Sequence, residues 1–423
     1  ITTAFSRFQR SAGSARRATH SMTLLQNIQR LAVNAQSELI RLRRHLHTWP
    51  ELSFQEHATA RFIADTLQSL GIEHSTGWGG TGIVATIRGR NPDSRLIALR
   101  ADMDALPITE ANEVPYRSQN LGMMHACGHD VHSACLLGAA HILQELRTKW
   151  DGTVRLIFQP GEELLPGSAS LLIKEGVLEN PRPEGIIGQH VHPPLETGKV
   201  GFRSGIYMAS ADELYLTVRG KGGHGALPQD CVDPIVITAQ IITALQQIVS
   251  RNADPTIPSV LTFGRIASDG GATNVIPNEV RLMGTFRTMN ETWRFEAHRK
   301  MRAIVEGIAQ SLGGSADFRI EVGYPVLINE AALTARSRAA AEAYLGPENV
   351  VELPIRMTSE DFAFYSHHVP ACFYRIGTGN AARGITSPIH TNTFDVDEDC
   401  LSIGAGLMAW LAVNGMGEIS NCE

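Results

Sequence analysis

The feature that most constrains the fold is a change of texture near Asp212. Before it, short apolar runs at 82–87, 96–99, 153–158 and 185–187 read as strands, and residues 56–70, 131–146 and 168–175 read as helices. Alternation of that kind specifies an α/β unit with a parallel or mixed sheet. After Asp212, the stretches 213–220, 259–266, 279–288 and 318–324 alternate apolar and polar residues, with helices expected over 233–249 and 293–312. Strand, helix, strand, strand, helix, strand is the order of a small antiparallel sheet backed by two helices. From about Pro325 the buried α/β texture returns, through 371–377 to a final helix at 401–413. The simplest parse is a discontinuous domain, 22–211 and 324–423, carrying an inserted α+β unit over 212–323. A chain of 423 residues also exceeds what one hydrophobic core serves.

The helical pattern from Met22 to Leu46 opens the first domain. Residues 1–21 contain no acidic residue and lack the apolar core of a secretory signal, so a flexible extension or appended tail is expected there. A net charge of -6 with dispersed Lys and Arg gives no nucleic-acid footprint. No apolar run approaches the roughly 20 residues that span a bilayer. Six scattered cysteines in so long a chain argue against a disulfide framework and for a reducing, cytoplasmic setting.

Polar clusters follow four expected strands: 100–107 (RADMDALP), 159–163 (QPGEE), 189–193 (QHVHP) and 387–394 (SPIHTNTF). A fifth, 124–132 (MHACGHDVH), opens the helix expected from Val131. Ligands of open α/β sheets collect outside the carboxyl ends of strands, so Asp, Cys, His and Glu from distant segments are expected on one rim. Cys127 and His129 flank Gly128, a spacing that permits joint chelation from a tight turn. The helix start that follows favours a thiolate. A lone histidine here would read as a loop or cap residue; His125, His129, His132 and a cysteine within one short run point instead to a metal. Thiolate, imidazole and carboxylate together suit zinc, or manganese or cobalt if more oxygen ligands contribute. Glu162 and Glu163 are adjacent, so one can ligate while the other takes a proton from water. Read alone, the pair would equally be a solvated helix start. Either carboxylate of Asp102 and Asp104 can orient a ligating histidine.

Together with RGKGGHGALPQ (219–229), ATNVIPNEVRLMGTFR (272–287) and TSEDFAFY (358–365), these motifs resemble the amidohydrolase branch of the M20 metallopeptidases, in the right order from about Met22 to Val413. That branch includes hippurate hydrolases, aminoacylases, auxin-conjugate hydrolases and related carboxypeptidases. The resemblance implies a metallopeptidase-type catalytic domain with a mixed sheet and an inserted α+β lid that serves dimerisation. It implies Cys127, His129, Glu163, His190 and His390 as ligands of one or two divalent ions. It further implies Glu162 as general base, Asp104 as support for the ligands, His224 as oxyanion stabiliser, and Asn274 and Arg287 as binders of the substrate carboxylate. Of His190 and His192, only motif position favours the first. Leu164, Leu165 and Pro166 stand where the family has small residues, which bears on substrate width rather than on the chemistry.

The expected activity is hydrolysis of an amide in an N-acyl-amino acid or small peptide by metal-activated water, releasing a free amino acid. A dipeptidase or carboxypeptidase of the same fold is the alternative. A cysteine amidase using Cys127 with His129 or His132, and a metal-binding scaffold without catalysis, are the readings from other classes. The expected assembly is a homodimer through the lid, in which His224 can serve the neighbouring subunit's site.

Overall fold

The computed structural model describes residues 22–414; the extension expected over 1–21 lies outside them. An eight-stranded mixed sheet runs in the order Glu73–Trp78, Gly82–Arg88, Thr153–Gln159, Leu96–Asp102, Gly185–Glu196, Ala371–Gly379, Val200–Phe202 and Val350–Glu352. Its central strands are parallel: Leu96–Asp102 pairs in parallel with both Thr153–Gln159 and Gly185–Glu196, and the latter with Ala371–Gly379. These strands are buried along most of their length, as expected where helices cover both faces of a parallel sheet. Helices His129–Glu145 and Cys400–Val413 are buried nearly all round and pack against each other on one face.

The sequence pattern over 22–46 resolves into two helices, Leu24–Asn34 and Gln36–Thr48, meeting at Ala35. The first has a complete capping box, with Thr23 and Gln26 satisfying each other's backbone donors. The second presents Arg43 and His47 inward, where both meet Asp130 at 2.8 Å. Asp130 thus ties the front helices to the start of helix His129–Glu145.

Between 212 and 322 the chain forms a separate four-stranded antiparallel sheet in the order Ser259–Ser268, Glu279–Thr288, Asp212–Arg219 and Ser315–Val322. Helices Pro234–Gln247 and Glu291–Ser311 cover one face and share an apolar core of Leu214, Leu216, Ile241, Phe286, Met301 and Val305. The chain enters this unit at Asp212 and leaves it at Gly323. Buried Arg294 joins the two crossings, donating to Asp212 at 2.5 Å and to the carbonyl of Gly323 at 3.1 Å.

Candidate metal centre and cavity

The helix expected from Val131 begins at His129, with Gly128 as its N-cap at φ 83°. That left-handed conformation is cheap only for glycine, and a Cβ there would lie 2.6 Å from Val191. The turn brings Cys127 and His129 to one side. The strand Gly185–Glu196 continues through His190 instead of ending before it, because Ala371–Gly379 pairs alongside and sets Arg375 opposite His190. His390, in the loop after that strand, takes φ 62° and donates its backbone N–H to Ala126. From these three directions Cys127 Sγ meets His190 Nε2 at 3.5 Å and His390 Nε2 at 3.3 Å. Glu163 Oε1 lies 3.2 Å from His390 Nε2 and 4.0 Å from His129 Nε2.

The His129 and His190 rings are each held by the other nitrogen. His129 Nδ1 faces the backbone oxygen of Asp104 at 2.9 Å and its Oδ1 at 3.1 Å. His190 Nδ1 faces the carbonyl of Val191 at 2.8 Å. These partners fix the tautomer that leaves Nε2 free, the arrangement that orients ligating imidazoles. Asp104 Oδ2 also accepts from Ser53 Oγ at 2.7 Å and from the backbone of Glu163 at 3.0 Å, so one carboxylate positions two candidate ligands. His132 is occupied differently: its Nδ1 faces Asp102, and its Nε2 accepts the N–H of Val191 at 2.9 Å. That bond takes the lone pair a metal would need, and makes His132 a brace for the strand bearing His190. His192 turns away from Cys127 toward Arg356 Nη1, 3.1 Å distant.

Candidate ligand atoms of Cys127, His129 and His190 lie within 4.8 Å of one another, as do those of Cys127, Glu163 and His390. His129 Nε2 is buried without a hydrogen-bond partner, and so is Glu163 Oε1, whose 3.2 Å approach to His390 Nε2 lacks hydrogen-bond geometry. Two orphaned ligand atoms aimed at a thiol and two further imidazoles fit a divalent transition ion. Without a cation, burial and the Glu163 carboxylate push the Cys127 thiol up, against the pull of His129. A dication would reverse that balance.

Glu162 is buried beside this cluster. Burial, with Glu360 and Glu163 nearby, pushes its carboxyl well above the usual range. Its carbonyl accepts from Tyr324 Oη at 2.5 Å. Beneath it, fully buried Arg100 reaches Asp102, Glu360 and Asp361 at 2.6, 3.0 and 2.8 Å. That one guanidinium links the segments around 102, 159 and 361.

Glu162, Glu163, Cys127, His190 and His390 open onto a cavity of about 540 Å³ between the large sheet and the inserted unit. Leu164 and Leu165 line it, as does Arg287 from the inserted unit, which donates to the carbonyl of Met357 at 3.1 Å. His224 and Asn274 do not line it. They sit together at the exposed antiparallel pairing of Gly223–His224 with Val275–Ile276, where the N–H of Gly225 donates to the carbonyl of Asn274 at 2.7 Å. Two lining residues, Arg356 and Arg375, were invisible in the sequence because no short motif surrounds them.

The model for peptidase family M20/M25/M40 matches residues 98–414. An N-acyl-L-amino acid amidohydrolase of Geobacillus stearothermophilus is 45% identical over 304 residues, covering 72% of this chain and 81% of the relative. Thermostable carboxypeptidase 2 of Saccharolobus solfataricus is 37% identical over 395 residues, 93% of this chain and 99% of the relative. Among solved structures, a Bacillus subtilis protein described as a dinuclear metal-binding peptidase of the M20 family superposes with a TM-score of 0.77 at 35% identity, covering 90% of this chain and 98% of that one.

Proposed function

This chain belongs to peptidase family M20/M25/M40, and from that premise we propose that it is a metal-dependent amidohydrolase releasing a free amino acid from an N-acyl-amino acid or small peptide. The observation that carries the reading is the pair of orphaned ligand atoms on His129 and Glu163, facing Cys127 and His390 beside buried Glu162. Cys127, His129, Glu163, His190 and His390 would hold one or two divalent ions, zinc, manganese or cobalt. Such an ion supplies Lewis-acid polarisation of the amide carbonyl and brings the pKa of water down to about 7.

The chain's own groups do the rest. Glu162, buried beside the candidate ligands and open to the cavity, takes the proton of the attacking water and passes it to the leaving amine. Asp104 holds the His129 ring and the Glu163 backbone in place. Arg287 binds the substrate carboxylate with its planar fork, assisted by Asn274. His224 stabilises the tetrahedral oxyanion. Because His224 and Asn274 stand outside the cavity of their own chain, we assign them to the site of a second copy, in a homodimer formed through residues 212–323. The amidohydrolase relative favours N-acyl substrates and the carboxypeptidase relative favours peptides. A cytoplasmic setting is part of this reading, supported by the five free cysteines among the described residues; no helix among those residues is long and apolar enough to cross a membrane.

Glu162→Gln tests the assignment directly. It is expected to keep bound metal and lower kcat on every cleaved substrate by about 10²- to 10⁴-fold, the range of general acid–base catalysis. Unchanged turnover would remove Glu162 from the mechanism. His132, braced by Asp102 and Val191, has no nitrogen left to serve as base for a cysteine amidase.

A further inference from the structure

Five buried or half-buried arginines surround the cavity and its supports, and they divide into two kinds. Arg100 has three carboxylate partners, and Arg294 pairs with Asp212 and Glu291. Arg287, Arg356 and Arg375 line the cavity, and none has a carboxylate within 4.0 Å among the described residues. Arg375 is 3% exposed. Its Nε donates to Tyr207 Oη at 3.0 Å, and its Nη2 has only the weak acceptor Met208 Sδ at 3.2 Å. Arg356 Nη1 faces His192 Nδ1 at 3.1 Å. Elsewhere, buried Arg155 also lacks a carboxylate, but it donates to the carbonyls of Val177 and Glu179. Glu360, on the same cavity wall, is committed to Arg100.

A guanidinium taken out of water is costly unless paired and hydrogen-bonded. Two of them opening on one cavity, Arg375 bonded through its side chain and Arg356 through its backbone N–H to the same Tyr207, and poorly matched by the protein, are arranged for an anion from outside. Arg287 already answers the carboxylate next to the scissile amide. We propose that Arg356 and Arg375 form a second anion position, and that the preferred substrates are N-acyl-amino acids or small peptides carrying a second carboxylate. This rests on the hydrolase reading above. The second carboxylate has two sources, the acyl group or the amino-acid side chain.

Three substrates separate these sources: N-acetyl-leucine, N-acetyl-glutamate and N-succinyl-leucine, each turned over by the metal-loaded protein. One of the two dicarboxylates is expected to exceed N-acetyl-leucine in kcat/KM by about tenfold or more, the size of one charge-assisted hydrogen bond. Arg375→Met and Arg356→Gln are expected to lower kcat/KM for that dicarboxylate by about 10- to 100-fold, mainly through KM, and N-acetyl-leucine by much less. Arg356 is only half-buried, so its variant keeps the test open should Arg375→Met fail to fold. Calorimetric binding of glutarate against butyrate gives a readout without turnover: wild type should favour glutarate and Arg356→Gln should lose the preference. Equal treatment of all three substrates, or equal losses on all three in both variants, would overturn the proposal. Selective glutarate binding with no amide cleaved would uphold the anion position and reject the hydrolase reading.

Discussion

Asp104 has no exposed surface to offer a substrate, yet it sits behind two candidate ligands at once. Asp104→Asn is nearly isosteric but loses the charge that holds the His129 tautomer. Removing such a supporting group typically costs 10- to 100-fold in metal affinity, and we expect about that loss in competition with a chelator. Unchanged affinity would mean that the backbone oxygen of Asp104 orients His129 alone. At this scale the sequence was legible wherever a motif concentrated the chemistry: Cys127, His129, Glu162 and Glu163 fall in two short runs. The local residue pattern alone could not rank His129 above His132, which only the family resemblance did, because the difference is a hydrogen bond to Val191, some sixty residues away. Arg356 and Arg375 were invisible for the same reason. An unpaired cation is defined by what fails to surround it in space.

Among the elements, the crossing between the two units is held by charge. Burial alone would raise the Asp212 carboxyl, but hydrogen bonds from His298 and Arg294 outweigh it and leave the group below the usual range. A carboxyl depressed in the folded state contributes stability that is fully present above its unfolded pKa of about 4, and that is lost as pH falls through the lower native value. Melting temperatures between pH 3 and 7 should therefore fall on acidification in the wild type. Asp212→Asn should lower the melt at neutral pH and flatten that acid limb; parallel curves would show that Asp212 is not part of it. Elements with a clear period were readable, as in the four strands and two helices between 212 and 322. The strand Glu73–Trp78 was missed because it is an edge strand, polar and mostly exposed, with no apolar alternation to detect. Helix Ala331–Leu345 escaped because its small residues bury without a marked apolar face. The break at Ala35 was hidden because both helices it separates continue one apolar pattern.

For the whole molecule, the arrangement has a consequence for assembly. His224 stands exposed outside the cavity of its own chain, so under the proposed oxyanion role one copy would be incomplete. Sedimentation is expected to report a dimer. His224→Ala and Glu162→Gln subunits, each inactive alone, should recover activity when mixed, because a mixed dimer contains one site with both groups intact. No recovery from a verified mixed dimer would return His224 to its own chain's site. Hydrolysis that depends on a metal at the proposed ligands Cys127, His129, Glu163, His190 and His390 can be checked by stripping the protein with a chelator. Hydrolysis of N-acyl-amino acids and dipeptides is then measured before and after adding back zinc, manganese or cobalt. Activity is expected to disappear on chelation and to return with metal, on substrates bearing a free carboxylate next to the cleaved amide. Full activity in the metal-free protein would contradict it and make Cys127 the nucleophile.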